Sequence, residues 1–309
     1  MKRDPHQLMK TGFSEDGKVV RLAGDTLKRL QNVELDMLKD IIEVADRNCV
    51  NYSLSGGSVL GAVRHKGFIP WDDDIDINMP RKDFERFKHV FEKELGDKYV
   101  LCAPELGQDY GMAMSQIKKR GTVYRSFNEL SQKESGICID IFVMENVPDN
   151  RIARMIHGVF SLAFGYMLSC RKTYEDISCL KEYFRENREL KKIFMKKARV
   201  GRLFFFLSLN QASWLTWRCY SWCRNEKSQY ITIPSGRKHY FGEIGKRTEM
   251  CHMKKVPFES IMVNIPEGAK GYMERLYGTD YMELPPEEKR ERHPIMELNF
   301  GEEDTNGLS

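Results

Sequence analysis

The chain has 309 residues, of which 41% are hydrophobic and 30% charged, a composition typical of a globular protein with a substantial core. Its 49 basic and 45 acidic residues leave a net charge of +4, too small to indicate a nucleic-acid-binding protein. The first residues are polar, so we expect no secretory signal, and we expect the eight cysteines to be reduced thiols of a cytoplasmic protein.

The chain opens with a polar arm that is followed by a long helix. Residues 1–25 show no hydrophobic period, so we expect a loose N-terminal arm. Between Thr26 and Asn48 the apolar side chains recur about every 3.6 residues, which predicts an amphipathic helix. Val50–Leu54 is typical of a strand, and residues 58–65 favour a short helix directly after it.

A turn of small residues separates this strand from this helix, and it consists of Gly56, Gly57 and Ser58. Glycine lets the backbone approach a ligand closely, and the N–H groups at a helix start attract anions. The turn is therefore predicted to bind phosphate, the alternative being a plain strand-to-helix connection. Three cations are candidates for pairing with that phosphate, the alternative being solvated surface charge: Arg64, Lys66 and Lys118.

Four carboxylates lie within five positions of the next segment: Asp72, Asp73, Asp74 and Asp76. Such a density of like charge is strongly repulsive unless a cation lies among the side chains. Isoleucines alternate with Asp74 and Asp76, which predicts a strand over about 73–78 with both acids on one face. We predict that these two acids bind a divalent cation, the alternative being a solvated acidic turn. Asp72 is a third candidate ligand, and Asp73 is expected to point away.

Further strands and one helix follow before residue 145. The patterns predict a helix over about 82–94 and strands over 99–103, 112–118, 122–125 and 136–144. Asp140 is the one charge in the last of these runs, and an isolated acid in an apolar strand is unfavourable to bury without compensation. We therefore predict that Asp140 lies beside Asp74 and Asp76 and shares their cation.

Residues 149–254 differ in character and are predicted to be helical. The apolar run 159–168 is too short to span a membrane and favours a core or interfacial helix. A basic run, 191–202, precedes an aromatic run, 203–222, which indicates either a helix pair on a membrane surface or a solvated helix beside a core helix. After residue 255 we expect a strand or a hairpin over 256–265, a helix over 269–277 and a polar tail from 301.

Four segments of the chain resemble LicD-type transferases, which are relatives of the fukutin-related proteins in the nucleotidyltransferase superfamily. They are Leu54–Arg64, Phe68–Ile77, Ile139–Phe142 and Tyr277–Met282, with Pro285 and Pro286 after the last. The Pro-Trp-Asp-x-Asp-x-Asp stretch within the second segment is specific, whereas a bare Asp-x-Asp would be weak. The resemblance covers residues 50–145 closely and 255–294 more loosely.

The resemblance implies an α/β fold in which a mixed sheet is flanked by helices. Residues 26–148 would form the catalytic core, 149–254 a helical insertion that meets the acceptor or a membrane surface, and 255–309 the part that completes the core. It also implies that the Gly-Gly-Ser turn holds the phosphates of the donor. Mg²⁺, or alternatively Mn²⁺, would be held by Asp74, Asp76 and Asp140.

The implied activity is transfer of a phosphoalcohol from a cytidine diphosphate donor to a sugar hydroxyl, with release of CMP. Phosphocholine from CDP-choline is the best-known case, and the acceptor is a cell-surface glycan, such as lipopolysaccharide or teichoic acid, or its lipid-linked precursor. Asp72 or Asp140 would take the proton of the attacking hydroxyl. Such an enzyme would work in the cytoplasm or at the inner face of the membrane, with a peripheral membrane contact and no nucleic-acid partner.

Two alternatives stay open at this point. The same chemistry with CDP-ribitol, CDP-glycerol or another activated donor would need the same acids. A non-catalytic interaction protein on an inactive nucleotidyltransferase fold is the alternative of another class, and the intact set of acids argues against it.

Overall fold

The structure is a computed structural model that describes residues 22–105, 110–126, 129, 134–183, 188–290, 293 and 295–301. The predicted N-terminal arm, 1–25, lies outside these residues except for its last four. The predicted polar tail lies outside them after residue 301.

A mixed sheet forms the centre of the molecule. The strands are β1 (Ser53–Leu54), β2 (Asp76–Pro80), β3 (Tyr99–Cys102), β4 (Ser115–Lys119), β5 (Val123–Ser126), β6 (Cys138–Val147), β7 (Tyr230–Thr232), β8 (Gly245–Lys246), β9 (Met253–Phe258), β10 (Ile261–Pro266) and β11 (Ile295–Asn299). In the main sheet the order is β1-β2-β6-β4-β3, and β7 pairs with the far end of β6 and with β8. β2 and β6 run parallel, whereas the other pairs of this sheet are antiparallel.

Helices flank this sheet, as the predicted fold class requires, and that prediction is confirmed. They are α1 (Gly24–Arg47), α2 (Gly56–His65), α3 (Arg81–Leu95), α4 (Arg151–Glu175), α5 (Ile177–Tyr183), α6 (Arg188–Arg202), α7 (Leu209–Tyr220), α8 (His239–Gly242), α9 (Arg247–Met250) and α10 (Ala269–Tyr277). A short 3₁₀ turn covers Glu287–Lys289. α1 and α3 pack on the sheet, and α10 packs against α2.

The long helix α1 shows how the apolar period places the core. Leu30, Leu38 and Ile41 are completely buried, and they belong to one hydrophobic cluster that also contains the strands β2 and β6. The predicted helix is therefore confirmed to within two residues of its start. Its apolar period does not reveal Glu34, a carboxylic acid that is also buried on the same face.

β1 and β4 begin three residues later than predicted, and the bounds of β2 and β6 differ from the prediction for reasons of tertiary pairing. β6 continues to Val147 because Glu145, Asn146 and Val147 pair with β7, a strand more than eighty residues away. β2 begins at Asp76 rather than at about 73, because Asp76 is the first of its residues in register with β6. The acids before Asp76 therefore lie on the loop that leads into the strand.

An aromatic residue of α7 helps to attach the helices α4 to α7 to the sheet. Trp217 on α7 is 1% exposed and belongs to the main core, where its ring packs edge-on against Phe84 of α3 at 5.7 Å. The guanidinium of Arg81 lies 4.1 Å from the centre of the Trp217 ring and forms a buried ion pair with Glu145 of β6. A cation over an indole face, paired with a buried acid, ties α3, α7 and β6 together.

Candidate active site

The parallel pairing of β2 and β6 brings the distant acids together at the N-terminal end of β2, the acidic edge. Asp76 and Asp140 are Cα partners in register, and the backbone N–H of Asp140 donates to the carbonyl of Ile75 at 3.2 Å. Because paired residues on neighbouring strands point to the same face, the two carboxylates share that face. The structure thus places Asp140 next to the acidic segment, sixty-four positions away in the chain.

The acidic segment alternates between the core and the site. Ile75 and Ile77 are completely buried in the core, whereas Asp74 and Asp76 line a cavity. The backbone N–H of Asp76 donates to Ser58 Oγ at 2.9 Å, which fixes the start of β2 against α2. This contact changes the role expected for Ser58: its hydroxyl holds the strand, and the residue is absent from the cavity lining.

Asp73 does not line the cavity, whereas Asp72, Asp74 and Asp76 do. Its side chain is buried, and Asp73 Oδ2 accepts a hydrogen bond from the Tyr124 hydroxyl at 3.5 Å. His293 Nδ1 lies 2.9 Å from Asp73 Oδ1 and 3.4 Å from Asp74 Oδ2. His293 therefore bridges Asp73 to the cavity, where 48% of the imidazole side chain stays exposed.

The Gly-Gly turn fits closely between the acids and a tyrosine of α10. Gly56 has a φ of +44°, in the left-handed region, and a Cβ there would lie 3.6 Å from both Asp76 Oδ2 and Tyr277 Oη. A Cβ at Gly57 would lie 3.1 Å from Asp72 Oδ2, which is tighter than ordinary contact. Glycine is needed here because the backbone and the carboxylates approach each other so closely.

The start of α2 has no side-chain cap. The Ser55 hydroxyl forms its hydrogen bond with Tyr272 Oη at 3.3 Å instead of with the helix. The Gly56 N–H also points at Tyr272 Oη, at 3.4 Å. The helix N-terminus therefore opens on the acidic edge and combines backbone donors with a positive dipole end, which suits an anionic group.

A cavity of about 570 Å³ covers this edge. Its acidic lining consists of Asp72, Asp74, Asp76, Glu243, Asp280 and Glu283, and its basic lining of Arg64, Arg237, Lys289 and His293. Rings of Trp71, Tyr272, Tyr277 and Tyr281 form much of the remaining wall. A polar cavity of this size, with convergent charges of both signs, is suited to a small charged ligand.

The three predicted phosphate-binding cations are placed differently. Arg64 lines the cavity, and its guanidinium donates to the carbonyls of Tyr281 and Glu283 at 2.9 and 3.0 Å, which holds that segment over the site. Lys66 is exposed at the end of α2 and does not line the cavity. Lys118 is buried, and its ammonium lies 2.7 Å from Glu129 Oε1, so it too is absent from the lining.

Burial and mutual repulsion dominate the electrostatics of the acids. Burial, followed by the charge of Asp74, raises the pKa of Asp76 well above its usual value. Burial also raises the pKa of Asp140, although a hydrogen bond from Gln116 Nε2, at 2.9 Å, opposes that increase. Burial by itself would lower the pKa of His293, but Asp74 and Asp73 outweigh it and raise that pKa well above the usual value.

The carboxylates match the chemistry of a magnesium site only in part. Among the described residues, no three His, Cys, Asp or Glu side chains are placed to hold a metal ion. The predicted trio of Asp74, Asp76 and Asp140 is therefore not a preformed cage in this geometry. Mg²⁺ nevertheless prefers oxygen ligands and is usually held by one or two carboxylates together with substrate phosphates and water. Asp74 and Asp76, which both line the cavity, fit such an open site.

Two residues of the site carry no signal that the sequence alone reveals. His293 follows a run of charged residues without hydrophobic period, and the pairing of β11 with β5 directly after it helps to return this part of the chain to the acids. Glu34 faces the acidic loop from α1, and burial, then Asp74, raises its pKa well above the usual value. For Tyr277 the signal existed, because it begins the Tyr-Gly-Thr-Asp motif.

Comparisons with known proteins show similarity to one family of transferases. A family model described as LicD/FKTN/FKRP, nucleotidyltransferase domain, matches residues 49–157, which include β1, α2, β2 and β6. The lipopolysaccharide cholinephosphotransferase LicD of Haemophilus influenzae is 30% identical over 284 residues, or 88% of this chain and 97% of that protein. The ribitol 5-phosphate transferase FKRP of Homo sapiens is 38% identical over 56 residues, or 18% of this chain and 11% of that protein.

The similarity to the Haemophilus protein extends over nearly the whole of both chains, and the family model covers the acids and the Gly-Gly turn. The predicted resemblance and the predicted enzyme class are both confirmed. This chain belongs to the LicD family and is a phosphotransferase.

Proposed function

We propose that this enzyme transfers phosphocholine from CDP-choline to a sugar hydroxyl of a cell-surface glycan or of its lipid-linked precursor, and that CMP leaves. The hydroxyl attacks the distal phosphorus of the donor, whose bond to the CMP oxygen breaks. The observation that carries the proposal is the register of Asp76 with Asp140, directly beneath the uncapped start of α2. The carboxylates thus face backbone N–H groups that are able to donate to a diphosphate.

We propose Mg²⁺ as the cofactor, with Mn²⁺ as the alternative, held by Asp74 and Asp76. When bound, the ion neutralises charge that develops on the transferred phosphoryl group. Asp140 supports this pair from β6, and Gln116 orients its carboxylate. The donor diphosphate lies between the Gly56–Gly57 backbone and Arg64, whose position over the cavity is set by its bonds to two backbone carbonyls.

We assign removal of the proton from the attacking hydroxyl to Asp72. Both Asp72 and Asp140 were candidates, but Asp72 lines the cavity and Asp140 does not. A general base must come within hydrogen-bond reach of the proton it takes, so the exposed position favours Asp72. Arg237 and Lys289, on the same wall, provide positive charge for the departing CMP.

The choice of phosphocholine is supported by the length of the similarity to the cholinephosphotransferase. The similarity to the ribitol 5-phosphate transferase is confined to 18% of this chain. CDP-ribitol and CDP-glycerol are therefore the competing donors in the test.

The test is a panel of CDP-alcohols incubated with purified enzyme and glycan acceptors, with CMP release as the measurement. We expect CDP-choline to give the fastest acceptor-dependent release, and we expect EDTA to abolish it and added Mg²⁺ to restore it. Faster CMP release from CDP-ribitol or CDP-glycerol would identify that molecule as the donor and leave the proposed chemistry unchanged. CMP release that EDTA does not affect would contradict the proposed dependence on Mg²⁺. No release from any donor would contradict the proposed donor class.

A further inference from the structure

The surface of α4 exposes a continuous hydrophobic stripe. Its members are between 40% and 72% exposed and are Ile152, Met155, Ile156, Val159, Phe160, Leu162 and Tyr166. They recur every three or four positions, so they lie on one face of the helix. At 1.5 Å per residue the stripe is about 22 Å long. Exposed apolar surfaces of this extent mark interaction sites in soluble proteins.

The opposite face of α4 is packed against protein. His157 is completely buried, and its Nε2 lies 2.9 Å from the carbonyl oxygen of Cys219. A Cβ at Gly158 would clash with Phe241, and Gly201 of α6 lies against the carbonyl of Cys170. By length and hydropathy alone α4 is able to cross a membrane, with 28% of its apolar window buried. Its packed face instead indicates a helix that lies along a surface.

Exposed aromatic side chains also lie on segments that contact α4. The Trp222 ring packs edge-on against His157 at 5.3 Å and is 56% exposed. Phe205 and Phe206 are both 67% exposed, on a segment that Arg171 of α4 holds through a 2.8 Å bond to the Leu207 carbonyl. Indole and phenyl rings beside an apolar helix face are typical of the water–lipid boundary.

Strong positive charge lies beside the C-terminal part of α4. The helix α6, which packs against α4, has one acid, Glu189, and seven cations. The cations are Arg188, Lys191, Lys192, Lys196, Lys197, Arg199 and Arg202. Juxtaposed basic and apolar surfaces are complementary to a bilayer with anionic headgroups.

We propose that the α4 stripe, with the basic helix α6 beside it, docks the enzyme onto an anionic lipid bilayer, with α4 lying in the interface. A second copy of the chain fits this face less well, because a two-fold contact would bring two basic α6 helices towards each other. The inference stands on the surface alone and does not depend on the proposed donor.

The packed face of α4 is connected to the cavity by a short segment. Ile233, Gly236 and Arg237 line the cavity, and within five residues the chain reaches Phe241, which contacts Gly158 of α4. Docking would therefore hold the cavity close to the bilayer. This geometry suits an acceptor whose sugar is attached to a membrane lipid.

The test is co-sedimentation of the full chain with two kinds of vesicle, pure phosphatidylcholine and phosphatidylcholine mixed with phosphatidylglycerol. We expect binding to the anionic vesicles, weaker binding to the neutral ones, and loss of the difference at high salt. The double variant Ile156→Glu/Phe160→Glu should lower the partition coefficient about tenfold or more. Lys191→Glu/Lys192→Glu should reduce only the preference for anionic vesicles.

Met262→Glu is the matched control, because Met262 is 51% exposed on β10, away from the stripe. It should bind vesicles like the unmodified protein, and circular dichroism should show that all variants are folded. Failure of the unmodified protein to bind either vesicle would overturn the proposal, as would equal loss in Met262→Glu. A dimer in sedimentation velocity that Ile156→Glu dissociates would show that a second copy covers the face.

Discussion

The acidic edge of the sheet and the α4 surface depart from the usual distribution of side chains in opposite ways. At the acidic edge, carboxylates crowd together at partly buried positions, and on α4, large apolar side chains are exposed to water. The two regions differ in the groups that offset these unfavourable placements. Gln116 and His293 contact the acids and partly balance their charge, whereas the apolar face of α4 has only flanking aromatic and basic groups.

This difference indicates the size of what each region binds. A cluster of acids inside a 570 Å³ cavity is completed by an ion and a small molecule, because a few added positive charges remove the repulsion. A flat stripe about 22 Å long needs an extended partner, since apolar stabilisation grows with the area covered. Substitutions at the acidic edge test whether its side chains bind an ion and a small charged ligand.

Asp76→Asn should have the largest effect. Removal of one metal-binding carboxylate is expected to lower the rate of CMP release by about 10³-fold or more. Because the substitution also relieves repulsion among the acids, the melting temperature should stay the same or rise. Both quantities would be measured on the same preparation.

The control for this variant is Asp97→Asn, an exposed acid outside the site. It should change neither the rate nor the melting temperature. Full activity of Asp76→Asn would show that the Asp76 carboxylate is not needed for the reaction. Loss of activity together with loss of folding would make its role structural.

Gly57→Ala should have an intermediate effect. The new Cβ would lie 3.1 Å from Asp72 Oδ2, so it would displace that carboxylate and obstruct the approach of a diphosphate. We expect kcat/KM for the donor to fall about tenfold to a hundredfold, at a nearly unchanged melting temperature. Gly271→Ala is the control, because its nearest neighbour would be an Arg275 side-chain atom at 3.7 Å. Similar kinetics for the two variants would show that close approach at Gly57 is not needed.

Glu34→Gln should have the smallest effect, and the effect should be on the free energy of unfolding. Glu34 Oε2 has no hydrogen-bond partner among the described residues, and burial, then Asp74, raises the pKa of its carboxyl. A raised pKa in the folded protein means that the carboxyl favours folding at low pH, and this contribution disappears as the pH rises through the folded pKa. Without divalent ions, the variant should be more stable than the unmodified protein by about 1–3 kcal/mol at pH 8.

The advantage of Glu34→Gln should shrink as the pH falls to about 5, where the unmodified side chain is protonated when folded. Urea unfolding at pH 8 and at about pH 5 measures the difference in unfolding free energy between the variant and the unmodified protein. Glu43→Gln is the control on the same helix, because its side chain is 73% exposed and its ion pair contributes little. Lower stability of Glu34→Gln at pH 8 would mean that the charge at Glu34 is compensated in the folded protein.

Much of the local structure followed from the sequence because its signals are local. The apolar period of α1, the helix over Ala269–Tyr277 and the hairpin of β9 and β10 agree with the patterns to within a few residues. The alternation of isoleucine with aspartate identified which acids face the site. It did so because neighbouring residues of an extended chain point in opposite directions.

Tertiary structure decided which distant groups meet and which candidates are used elsewhere. Ser58 and Lys118 matched a phosphate site by residue type, but one holds β2 and the other is buried with Glu129. His293 reaches the acids through long-range contacts, which include the pairing of β11 with β5. The apolar run of α4 was evident in the sequence, but which part of the helix stays exposed depends on how α6 and α7 pack against it. Local patterns determine the face on which a side chain lies, and only long-range packing determines what that face meets.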